Sequence, residues 1–206
     1  MGQIMRMALP GISKIMVGAL LGTGLLVVGS ALTSAQDHTK PEIIQGVITG
    51  TGLQAGQLTN LTFAIYEFST PDDKQVLLEA FQKGQNQGLF NALTKMRTVG
   101  RVAITGTLGY DVKYIRWFPT PAGRSIRFVT DRKISMGEAW TDSRSQQYDL
   151  SGGIFEMNDT EMKKSSGVVY GAAELVMKDG ELSINLANNP WKVASIRDNK
   201  GTPGEN

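Results

Sequence analysis

From Val99 to Arg197 the chain is a succession of short, alternating apolar segments divided by turn signals. This pattern limits the fold more than any other feature. The segments are Arg101–Thr107, Tyr110–Phe118, Arg124–Thr130, Ile134–Thr141, Gln147–Met157, Gly167–Met177, Glu181–Ala187 and Trp191–Arg197. Polarity that alternates with a period of two makes strands with one buried face. The best hairpin turns are Pro121-Ala122-Gly123 and Lys178-Asp179-Gly180, the second carrying an Asp-Gly pair suited to positive φ. Short connections favour antiparallel neighbours.

Ahead of this run, Ile43–Thr49 and the alternating Leu61, Phe63 and Ile65 read as two further strands. Between the two groups stands a helix start, Ser69-Thr70-Pro71-Asp72-Asp73. Thr70 is an N-cap, Pro71 suits the first helical position, and Asp73 is placed to close a capping box. Val76, Leu77, Ala80 and Phe81 fall on one face. Gly84 reads as a stop, and a second helix is expected over about Gly88–Met96, burying Leu89, Leu93 and Met96. The expected fold is α+β: a mainly antiparallel sheet, sandwich or partial barrel, with a two-helix insertion after the second strand.

The first 35 residues read as a signal peptide. Arg6 and Lys14 precede the apolar run Ile15–Leu32, and Thr33-Ser34-Ala35 offers a small-residue cleavage site. The alternative is an uncleaved anchor, because 18 residues lie at the lower edge of a bilayer span. In either case the basic start stays cytoplasmic and residues 36–206 are exported, to the periplasm or beyond, or held at the inner membrane facing the periplasm. The expected division is a leader at 1–35, a lead-in at 36–41, one globular domain at 42–198 and a flexible tail at 199–206.

Composition then removes several chemistries. There is no cysteine, and the only histidine, His38, lies just after the expected cut. A Ser-His-Asp or Cys-His mechanism in the core is excluded, as are His/Cys zinc sites. No cofactor and no metal are expected. Of 21 Lys and Arg and 19 Asp and Glu, the leader holds two bases and no acid, so the exported part is neutral and argues against a nucleic-acid partner. Gly50-Thr51-Gly52 through Gly56 nearly spells a dinucleotide fingerprint, but its last glycine is one residue late and a strand follows where a helix is required. Lys163-Lys164 and Ser165-Ser166 lack the flanking helix or elbow of a Ser-Lys site and read as a polar loop. The sequons at Asn60 and Asn158 matter only in a eukaryotic host.

Three stretches, Ser69–Met96, Val129–Trp140 and Ala172–Arg197, resemble a group of uncharacterised exported bacterial proteins. The likeness spans most of the exported part. Lys133 stands where that group is expected to carry proline after Thr-Asp-Arg. The resemblance implies bacterial origin and export, and brings no activity or cofactor.

The charge is unevenly distributed. Arg97 to Lys133 holds eight bases against Asp111 and Asp131, whereas Ile134 to Glu161 holds six acids against Arg144. Tyr110, Tyr114, Trp117, Phe118 and Phe128 interleave the basic part. By strand parity Tyr110, Val112, Tyr114, Arg116 and Phe118 share one face, and Lys113, Ile115 and Trp117 the other. A ligand site is therefore expected at Tyr114, Arg116, Trp117, Arg127 and Arg132, suited to an anionic glycan, a lipid head group or another envelope protein. The bland alternative is an aromatic core with a wet basic face. A competing enzyme reading uses Asp131, Glu138 and Glu156 as the paired carboxylates of a hydrolase acting on envelope polysaccharide. A third reading is a structural component of an envelope assembly. Membrane contact is expected only through residues 15–32, and only if the leader stays uncleaved.

Overall fold

The computed structural model describes residues 40–51, 55–134, 150–178, 180–184, 190–201 and 203–204. The leader, His38, Glu138 and most of the expected strand Ile134–Thr141 lie outside them. The strands are β1 (Glu42–Thr49), β2 (Leu58–Ile65), β3 (Gly100–Ile104), β4 (Tyr110–Thr120), β5 (Gly123–Thr130), β6 (Leu150–Asn158), β7 (Ser166–Ala173), β8 (Leu175–Lys178), β9 (Glu181–Ile184) and β10 (Trp191–Asn199). One helix, α1 (Pro71–Leu93), separates β2 from β3.

Among these elements eight strands close a barrel in the order β1-β10-β7-β6-β5-β4-β3-β2, with every pair antiparallel. The expected sandwich or partial barrel is thus a closed barrel. Pairing of Ile43 with Asn199 and of Thr49 with Lys192 joins the first strand to β10 and leaves the sheet without an edge. The segment expected as one strand over Gly167–Met177 divides: β7 stays in the barrel, and β8 leaves it to pair with β9.

Inward-facing residues fill the lumen, as expected for eight strands. Phe63, Phe128 and Phe155 stack at its centre, with ring centroids 4.8, 5.5 and 6.0 Å apart. Two glycines make room for them. Phe128 lies opposite Gly153 and Phe155 opposite Gly167, and a Cβ on Gly153 would stand 2.4 Å from the Phe128 ring.

The expected capping box forms. The Asp73 N–H donates to Thr70 Oγ1 at 3.0 Å, and the Thr70 N–H donates to Asp73 Oδ2 at 2.8 Å. Burial pulls the Asp73 carboxyl upward, but hydrogen bonds from Arg97 and Thr70 outweigh it and hold the group below the ordinary carboxylate value. The insertion is one kinked helix rather than the expected two. Gly84 does not end it; the backbone departs from helical angles at Gly84 and Gln85 and then resumes. Leu77, Leu89 and Leu93 of α1 pack with Tyr114, Val129, Leu150 and Leu175 on the outside of β4–β6, and β8–β9 joins this second core through Leu182 and Ile184. Lys74 of α1 is ion-paired with Glu181 of β9.

Gln85 adopts φ 50° and ψ −139°, a combination that only glycine takes without strain. Gln85→Gly should therefore raise stability by about 1 kcal/mol, read as a higher urea midpoint with an unchanged slope. A lower midpoint would show that the Gln85 side chain has a role in the kink.

Part of the expected flexible tail has defined partners. The Gly204 N–H donates to Tyr66 O and the Phe68 N–H donates to Gly204 O, both at 3.0 Å.

Candidate functional site

The expected site residues lie mainly on β4 and β5, where a β-bulge decides which way each points. Val112 pairs with Thr130 and Tyr114 with Val129, so β4 spends two residues against one of β5. The alternation reverses there, which corrects the strand-parity reading. Tyr110 and Val112 belong to the lumen with Ile115, whereas Tyr114, Arg116 and Phe118 turn outward.

Tyr114 is 5% exposed beneath α1, and its hydroxyl finds no hydrogen-bond partner among the described residues. Burial pushes the phenol up to about 12. Trp117 has the opposite parity to Arg116; it pairs with Ile126 near the end of the barrel where β4 meets β5 and is 40% exposed. Arg132 lies past the other end of β5, where it donates to Asp131 Oδ1 at 3.1 Å. The five expected ligand residues therefore do not form one site. The two that meet are Arg116 and Arg127.

Arg116 and Arg127 are directly opposed on β4 and β5. Their guanidinium carbons stand 6.0 and 4.8 Å from the centroid of the same Phe118 ring. Cation–π attraction to that ring orients both groups. Like charges placed directly opposite each other destabilise a sheet, yet neither arginine has an ion-pair partner among the described residues. The Arg127 Nε is buried with no acceptor among the described residues. On the neighbouring strand Glu156 accepts a hydrogen bond from Ser125 Oγ at 2.8 Å.

Of the expected carboxylates, Glu138 lies outside the described residues, and Asp131 and Glu156 do not come together. Glu156 pairs with Ser125, near the start of β5, and Asp131 follows its end. That separation is roughly 20 Å along an extended strand, against the roughly 5 to 10 Å that glycoside hydrolysis uses. Asp131 is 7% exposed, with Lys113 Nζ 3.9 Å away and Arg132 bonded to it. Among the described residues no three His, Cys, Asp or Glu side chains converge on a common point.

One charged cluster escaped selection from the sequence. Arg124 of β5 reaches across the lumen to Glu42 of β1 and Asp198 of β10. The available signal was parity: Arg124 alternates with Ile126 and Phe128, and Glu42 with Ile44, so both occupy positions on apolar faces.

No family model, curated protein or solved structure matches the chain.

Proposed function

We propose that this is an exported bacterial binding protein whose outer β4–β5 wall takes an anionic ligand or partner. The observation that carries the reading is the opposed Arg116–Arg127 pair, held over Phe118 with no ion-pair partner among the described residues. A folded sheet tolerates such a pair at some cost, and an oxyanion removes that cost by accepting from both guanidinium forks. Phe118 already carries the arginines, so it is poorly placed to stack a sugar ring. Recognition is accordingly ionic, and binding should weaken with salt. An acidic glycan, a lipid head group and an acidic envelope protein all present the required chemistry.

Binding of residues 36–206 to immobilised polyuronate and to phosphatidylglycerol vesicles tests this. Each of Arg116→Ala and Arg127→Ala should weaken binding by about tenfold, the loss expected for a charge-assisted hydrogen bond. A double variant that melts normally and binds as tightly as the parent overturns the assignment, as does a parent that binds neither probe.

A further inference from the structure

The second charged cluster lies inside the barrel, at the end where β1 begins and β10 finishes. Arg124 Nη1 donates to Glu42 Oε2 at 3.1 Å, and Nη2 donates to Asp198 Oδ2 at 3.1 Å and to Glu42 Oε1. The side chains of Glu42 and Asp198 are 3% and 0% exposed, and that of Arg124 is 16% exposed. One guanidinium thus faces two carboxylates. Asp198 Oδ1 is buried and accepts from no donor among the described residues. Of the other charges at this end, Asp159 and Lys200 bond to each other at 2.7 Å, and Lys40, two residues before Glu42, has an interaction of its own. The strand partners Ile65, opposite Glu42, and Met157, opposite Arg124, are apolar, as is Ile196 two residues before Asp198.

A buried net charge of this kind is strongly disfavoured unless it is compensated. The smallest compensating cation is a proton, and Asp198 Oδ1 offers it a vacant lone pair beside a second carboxyl group. We propose that this end of the barrel is a proton-binding site, in which one proton held on Glu42 beside Asp198 and beneath Arg124 completes a neutral triad. The proton comes from solvent and no covalent bond other than O–H is made.

The electrostatics agree in direction. Burial raises Glu42 above its ordinary 4.5; Arg124 opposes the shift through its hydrogen bonds and charge, and the neighbouring Asp198 reinforces it. The folded form therefore holds this proton more tightly than the unfolded chain. The added stability is complete below about pH 4.5 and is lost as pH rises through the higher folded value. Asp73 and Asp159 act in the opposite sense, since both are lowered from 3.8 and lose their contribution only as pH falls through still lower values. The two effects occupy different ranges.

Urea titrations of residues 36–206 from pH 4.5 to 8 test the site. The folding equilibrium constant should fall with rising pH, by up to about tenfold per unit, the limit for a single proton. Glu42→Gln should remove that slope and leave the protein at least as stable as the parent at pH 7. A parent with a flat profile, or a Glu42→Gln variant that keeps the slope, overturns the proposal. If the variant does not fold, the parent alone still decides. Buffer-dependent folding enthalpies just above pH 4.5 should show net proton uptake on folding, and none would refute it.

Discussion

Arg124→Met should be the most damaging single substitution among the charged residues, lowering stability by about 3–5 kcal/mol. In a domain of this size that corresponds to a melting midpoint lower by roughly 10 °C. The loss does not come from forfeiting an attractive ion pair as such, because the desolvation of buried charges offsets much of that gain. It comes from leaving Glu42 and Asp198 without their cation in a lumen lined by Ile65, Met157 and Ile196. Acid should repair part of the damage, since protonating Glu42 removes part of the buried charge. Thermal melts of Arg124→Met at pH 5 and pH 7.5 should therefore differ more than those of the parent. A loss under about 1 kcal/mol would mean that water reaches the triad and screens it.

Phe128→Ala should cost a similar amount, about 3–5 kcal/mol, for an unrelated reason. The ring contacts both Phe63 and Phe155 and covers Gly153 on the adjoining strand. Its removal leaves a void bordered by two aromatic faces and a residue with no side chain, none of which can expand into it. Gly153→Ala addresses the same contact from the other side. The added carbon would meet the Phe128 ring at 2.4 Å and the Val168 carbonyl oxygen at 2.7 Å, and the backbone partner cannot swing away. Overpacking of this kind typically costs about 1–3 kcal/mol. Denaturant unfolding of the two variants tests the pairing of ring and glycine. If either proves neutral, the stack has slack that the fit of these residues does not show.

Local chemistry was legible in the sequence, and long-range geometry was not. The cap at Thr70 and Asp73 forms as the residues suggest, and Gly180 takes φ 72° in the β8–β9 hairpin, as its place in an Asp-Gly turn requires. Each of these signals lies within four residues of its effect. Closure of the barrel depends instead on Ile43 meeting Asn199, and nothing near either residue announces the other. The two expected helices became one kinked helix because Gly84 and Gln85 bend the chain without terminating it. The site failed to gather for a related reason. A single extra residue in β4, between Val112 and Tyr114, sent Tyr110 and Val112 to the lumen and left Tyr114, Arg116 and Phe118 outside, while Trp117 keeps the parity opposite to Arg116 and Arg132 falls past the end of β5. Alternation is informative only while the register holds, and a bulge leaves little trace in composition. Glu42, Arg124 and Asp198 are widely separated in the chain, so their meeting is a property of the closed barrel and of no shorter segment.

The joining of β1 to β10 also sets when this protein can finish folding. Until Trp191–Asn199 has left the ribosome, β1 and β7 both present unpaired edges and the lumen stays open along one side. Any product truncated before Trp191 would keep two sticky edges permanently, a condition that favours clearance by proteases or aggregation over a partly working domain.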